Sequence, residues 1–181
     1  MKGRPNVACL QNAWFVRELR SDHAGETGAV WIYRGILAVV RRDNVLREFC
    51  ERHLATERRH LMDIERMLPV AEQSVLLRLW RVAGFLTGVL PALIGGQAVY
   101  VTIDAVERFV VAHYQQQVIA LQEMGQTQMA RTLSAFMEDE QAHQRDAFDA
   151  VVAHREGIMS GLIRSSVTRG SSLAVKLARW G

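Results

Sequence analysis

Two short stretches carry residues that could do chemistry. "ATERRHL" places Glu57 and His60 three apart, and "EDEQAHQ" repeats that spacing with Glu140 and His143. On a helix, residues three apart lie about 60° around the axis and roughly 4.5 Å along it. A carboxylate and an imidazole so placed can bind one metal ion, with the carboxylate reaching to a second. Each pair also has an upstream glutamate on an apolar stripe. Glu26 shares its stripe with Ala29, Val30, Tyr33, Leu37 and Val40. Glu107 shares its own with Tyr100, Ile103, Val110, Tyr114, Val118 and Leu121. Residues three or four apart occupy one helix face, so both glutamates point into a core, where a carboxylate without a partner is very costly.

The pattern is duplicated. Glu26 precedes Glu57 by 31 residues and Glu107 precedes Glu140 by 33, and a tyrosine follows each first glutamate by seven, Tyr33 and Tyr114. The chain therefore reads as two helical hairpins of one design, each supplying Glu and then Glu-x-x-His. Four inward carboxylates would repel and mostly protonate unless a cationic group sat among them. Two divalent ions meet that need, and this is the ligand set of ferritin-like di-iron or di-manganese carboxylate bundles. Carboxylate and imidazole donors suit iron or manganese, and the lack of cysteine argues against a structural zinc site. Singly, a Glu-x-x-His is more often a solvated face, and a buried Glu more often an arginine's partner. The joint pattern of Glu26, Glu57, His60, Glu107, Glu140 and His143 is what points to metal. Glu138 and Asp139 lie off the stripe, as solvated groups or supports behind the ligands. His23 and His53 read as hydrogen-bonding or core histidines, and His154 as a surface residue.

Long 3.6-residue periodicity and scarce strand signals predict an all-α protein, a single domain over 1–181. Helices are expected over Ala13–Arg42, Asn44–Met67 (stopped by Pro69), Ser74–Val89, from Pro91 or Gly96 to Met124, Thr127–Arg155 and Ser171–Trp180. Gly125 is expected to cap one helix and Gly157 to end another. Residues 82–103 hold no charge, long enough to span a bilayer. Pro91, four glycines and Gln97 read better as two helical pieces joined by a bend, buried in the core or lying on a membrane. Glu107 opposes a span by the helix that carries it.

The 181 residues give room for a real core, and no low-complexity tract suggests disorder. The net charge of +3 permits an anionic membrane surface without demanding nucleic acid, and no RNA-type motif is present. Cys9 and Cys50 read as two reduced thiols. No Gly-x-Gly-x-x-Gly fingerprint points to a nucleotide-binding module. The N-terminus lacks the apolar run of a secretory signal.

"RSDHAGETGAVWIYRG", "HLATERRHL", "LRLWRVAGFLTG", "DAVERFVVAHYQQQV" and "DEQAHQRDAF" together resemble the demethoxyubiquinone hydroxylases of ubiquinone biosynthesis, from about Leu19 to Trp180. The resemblance implies a ferritin-like four-helix bundle with extra short apolar helices and two iron ions held by the six residues named above. It implies a monooxygenase that uses O2 to hydroxylate the ring of a demethoxyubiquinol with a polyprenyl tail, with NADH as a candidate reductant. It implies a peripheral enzyme of the inner membrane, on the cytoplasmic side in a bacterium or the matrix side in a mitochondrion. The missing presequence favours the bacterial reading. A homo-oligomer or a ubiquinone-biosynthesis complex is compatible. His113 and Tyr114, the "HY" after Glu107, are candidates for orienting ligands or quinol, with Tyr114 on the stripe and His113 off it. The chain departs from the family pattern at Arg108, where a second acid is common, at Ile36, where glutamine is usual, and in "GGQAVYVTIDA". The alternatives are a rubrerythrin-like peroxidase or ferroxidase, an iron-storage protein, and a non-catalytic quinone- or lipid-binding relative. The two cysteines cannot build a rubredoxin module, and the uncharged stretch disfavours a soluble cage.

Overall fold

A computed structural model describes residues 12–153 and 158–180. Cys9, His154 and Gly157 lie outside them. The described residues form six α-helices: α1 (Ala13–Val39), α2 (Asn44–Met67), α3 (Leu77–Ile94), α4 (Gly96–Glu123), α5 (Thr127–Ala153) and α6 (Ile158–Trp180), with a 3-10 turn over Val70–Glu72. The all-α class and the extra apolar helix expected from periodicity are both present. The helices fall into two compact units. The first holds α1, α2, α3 and the end of α6 from Leu173, and the second holds α4, α5 and α6 up to Ser172.

In the first unit, α1 starts where Asn12 Oδ1 accepts from the Trp14 and Phe15 amides at 2.9 and 3.4 Å. It stops at Val39, short of the expected Arg42, because Val40 turns extended. Asp43 caps α2 by accepting from the Leu46 amide at 3.0 Å, and α2 ends before Pro69 as expected. The short 40–43 link lets α1 and α2 pack as a helical hairpin. Phe15, Leu19, Tyr33, Ile36, Leu46, Phe49 and Ile64 are buried within this unit. Arg20 of α1 donates to the Glu72 carbonyl and carboxylate at 2.7 and 2.6 Å, which ties the 3-10 turn down.

The α3 segment corrects two expectations. It is one helix through Pro91, and it runs from Leu77 to Ile94 in place of Ser74–Val89. Pro91 falls in its last turn, where the missing N–H removes one backbone bond near an end that frays in any case. The break comes instead at Gly95, whose φ of 142° is open to glycine. One face of α3 buries Trp80, Gly84, Gly88 and Pro91. Gly84 approaches the Gly28 backbone and Gly88 that of Ile32, so closely that a Cβ at either would collide with a carbonyl of α1. The end of α6 joins this unit through Ala174 and Ala178, packed with Ala24 and Trp80, and through Arg179, 2.8 Å from Glu18.

In the second unit, α4 packs on α5. The turn between them closes as expected: Gly125 has φ 71° and the Gln126 amide donates to the Leu121 carbonyl at 2.8 Å. Val99, Ile103, Leu121, Leu133, Ala147 and Val151 are buried. The last helix is longer than expected. It starts at Ile158, not Ser171, and Thr168 and Ser172 of "RSSVTRGSS" bond back to carbonyls one turn earlier. Thr168 donates to Arg164 at 2.9 Å and Ser172 to Thr168 at 2.8 Å.

Candidate metal centre

Each unit brings its own three predicted residues together. In the first, Glu26 comes from α1 and Glu57 and His60 from α2. One ligand atom from each lies within 4.8 Å of the others. All three are buried, none more than 4% exposed, and His60 Nδ1 stands 3.9 Å from Glu26 Oε2. In the second, Glu107 comes from α4 and Glu140 and His143 from α5, again with ligand atoms within 4.8 Å. His143 Nδ1 is 3.2 Å from Glu140 Oε2 and 4.0 Å from Glu107 Oε1. The i, i+3 spacing makes this convergence: one turn of helix turns carboxylate and imidazole toward the same point.

The donor set fits a metal. In each unit two buried carboxylates and one imidazole face one another, an arrangement that needs positive charge among the oxygens. Oxygen and imidazole donors match iron or manganese chemistry.

Around the first half-site the supports differ from those around the second. Tyr33 Oη lies 3.2 Å from His53 Nδ1, and Phe49 leans on the His53 ring with centroids 4.1 Å apart. His53 is thus a bonded core histidine. His23 is buried too, its Nε2 3.6 Å from Glu65 Oε1. Burial holds its pKa below the ordinary histidine range, helped by Arg81 and opposed by Glu65. In the second unit Tyr114 is buried with its ring edge-on to Phe136, centroids 6.1 Å apart. His113 is half-buried, stacked along Phe109, with its Nε2 2.9 Å from the Gln117 amide. Glu138 is exposed and Asp139 half-buried. Burial pushes the Cys50 thiol up to about 12, so it stays protonated.

Asp104 lies off the apolar stripe that singles out Glu107. Its carboxylate is fully buried and accepts from Arg108 and Gln144, each at 3.0 Å, and from Arg164. Its position three before Glu107 was the available signal. Glu18, Ser21 and Asp22 are further buried polar residues on α1 that the stripe did not single out.

Among known proteins, a family model described as ubiquinone biosynthesis protein COQ7 matches residues 13–178. The chain is similar to the 3-demethoxyubiquinol 3-hydroxylase of Rhodospirillum rubrum, 33% identical over 180 residues that cover 97% of this chain and 80% of that protein. It is also similar to the mitochondrial NADPH-dependent 3-demethoxyubiquinone 3-hydroxylases of Dictyostelium discoideum and Mus musculus. The first is 32% identical, over 70% of this chain and 60% of that protein. The second is 30% identical, over 90% and 76%.

Proposed function

The chain belongs to the COQ7 family of ubiquinone biosynthesis proteins, and we propose that it is an O2-dependent hydroxylase of a demethoxyubiquinol ring. The observation that carries the reading is the pair of half-sites, each with Glu and Glu-x-x-His ligand atoms within 4.8 Å. In this reading the chain is a ferritin-like protein whose six residues would hold two iron ions. Bound iron supplies O2 activation at a ring carbon of the reduced quinone.

The chain's residues supply the rest. The carboxylates of Glu26, Glu57, Glu107 and Glu140 would hold the iron. His60 and His143 offer the Nδ1 edge that already faces the carboxylates. Because all six groups are buried, bulk water is kept from the reacting centre. Tyr114, on the buried face of α4, and His113 beside it orient ligands or quinol. Two of the relatives are NADPH-dependent by name. A nicotinamide nucleotide is accordingly the proposed source of reducing equivalents, NADH by the resemblance and NADPH by those names.

The substrate's polyprenyl tail asks for an apolar approach. α3 is long and apolar enough to cross a membrane, with mean hydropathy 1.4 over 18 residues, and 22% of that window is buried. Its buried face carries glycines against α1, and its other face exposes Leu79, Val82, Leu86, Leu90 and Leu93. Leu173, Leu177 and Trp180 at the end of α6 are exposed in the same unit. We read these faces as lying in the surface of the inner membrane without crossing it, with Arg78 and Arg81 at the α3 start toward the headgroups. The setting is the cytoplasmic face in a bacterium or the matrix face in a mitochondrion.

The test is isotopic. Purified, iron-loaded protein in lipid vesicles receives demethoxyubiquinol, reductant and 18O2. A product carrying one 18O atom supports the reading. Iron oxidation without any hydroxylated quinone contradicts it and favours a ferroxidase.

A further inference from the structure

The second unit contains a buried charge network that the proposed reaction does not use. Asp104 on α4 is fully buried. Its Oδ1 accepts from Gln144 of α5 and Arg108 of α4, each at 3.0 Å, and its Oδ2 accepts from Arg164 of α6. Three helices therefore meet on one carboxylate. Its position is informative. Asp104 precedes Glu107 by one turn on the same helix, and Gln144 directly follows His143. The tie thus fixes the rotation of α4 against α5 one turn away from the half-site itself. Arg108 finds its counter-ion here.

The first unit solves the same problem with other groups. Three residues before Glu26 stands His23, and its partner across the hairpin is Glu65 of α2, 3.6 Å away. Each hairpin thus carries a polar tie between its helices one turn before its first glutamate. In the second unit the tie is a carboxylate that Gln144 and Arg164 reach from other helices.

We propose that Asp104 is a positioning residue for the second half-site: through Gln144 and Arg164 it holds Glu107, Glu140 and His143 at metal-binding geometry. The proposal rests on the metal-centre reading above. Asp104 itself does not touch metal or substrate. Arg164 pairs with the buried carboxylate and holds it in place, so that the helix bearing it contributes to metal affinity without supplying a ligand. Partners that orient metal ligands typically change affinity by about 10–100-fold when removed.

Titration of the metal-free full chain with Co(II), followed by absorption and by bound metal per chain, tests this. The parent is expected to bind two ions. Asp104→Asn is expected to keep one at parental affinity and to bind the second about 10-fold or more weakly. Its amide nitrogen would meet a donor either way round, Arg164 on one side or Arg108 and Gln144 on the other. Arg164→Gln should weaken the same ion. Arg108→Ala, whose side chain is 58% exposed, should bind both as the parent does. Lower thermal stability in Asp104→Asn and Arg164→Gln with both affinities unchanged overturns the positioning role and leaves a structural one. If Asp104→Asn does not fold, Arg164→Gln alone decides, since that side chain is 27% exposed. A parent that binds no metal overturns the metal-centre reading itself, a separate outcome.

Discussion

Tyr33 and His53 form a buried hydrogen bond, Oη to Nδ1 at 3.2 Å, that the second hairpin replaces with a ring contact. Tyr33 follows Glu26 by seven residues, as Tyr114 follows Glu107. His53 precedes Glu57 by four, as Phe136 precedes Glu140. The duplicated hairpins thus keep their ligands and exchange their supports. Tyr33→Phe removes the hydroxyl partner of a buried imidazole, which should destabilise the protein by about 1–3 kcal/mol. Urea unfolding of the metal-free protein measures this, and a change below about 0.5 kcal/mol would show that the bond contributes little.

Glycine at the α1–α3 contact gives opposite predictions at two positions of one helix. Gly25 is exposed with nothing near its absent side chain, whereas a Cβ on Gly35 would meet the Phe85 carbonyl. Alanine gains up to about 1 kcal/mol of helix propensity over glycine. Overpacking costs about 1–3 kcal/mol. Gly25→Ala should therefore stabilise and Gly35→Ala destabilise, and equal stabilisation by both would disprove the close approach.

Glu57 is 1% exposed among other carboxylates. In the metal-free protein its charge opposes folding, so Glu57→Gln should raise stability by about 1 kcal/mol or more. With metal the order reverses. The parent should gain about 3 kcal/mol at metal 100-fold above its Kd, and the variant should gain little. Thermal melts with and without Mn(II) check both halves of this crossing.

His23 gives a pH dependence. Burial lowers its pKa in the folded state below the ordinary 6.5, so below that pH the unfolded chain binds more protons than the folded one. Its contribution is present above pH 6.5 and is lost as pH falls through the lowered value. His23→Gln should flatten stability against pH in that window. An unchanged slope would show that other groups carry it.

How much of this was legible in the sequence differs by residue. The six proposed ligands stand out because a charged residue on an apolar stripe is conspicuous at 3.6-residue spacing. Asp104 is as buried as any of them, yet it lies one position off the stripe centred on Ile103, and its partner on another helix, Arg164, sits 60 residues away. Periodicity cannot report such a long-range ion pair. Proline and glycine usually signal breaks, and this hides the bounds of α3 in the sequence. Pro91 is tolerated in a last turn, and Gly84 and Gly88 are there to let a helix approach a helix. The early start of α6 was hidden by serines and threonine, which favour turns unless they bond back along the helix, as Thr168 and Ser172 do.

The most direct test of the central claim is a quinone profile. The chain is expressed in a bacterial strain that lacks its own demethoxyubiquinone hydroxylase, and extracted quinones are read by mass spectrometry beside a Glu140→Ala control. The account predicts ubiquinone with the parent and only demethoxyubiquinone with the variant. Demethoxyubiquinone persisting with a folded, iron-loaded parent would contradict it.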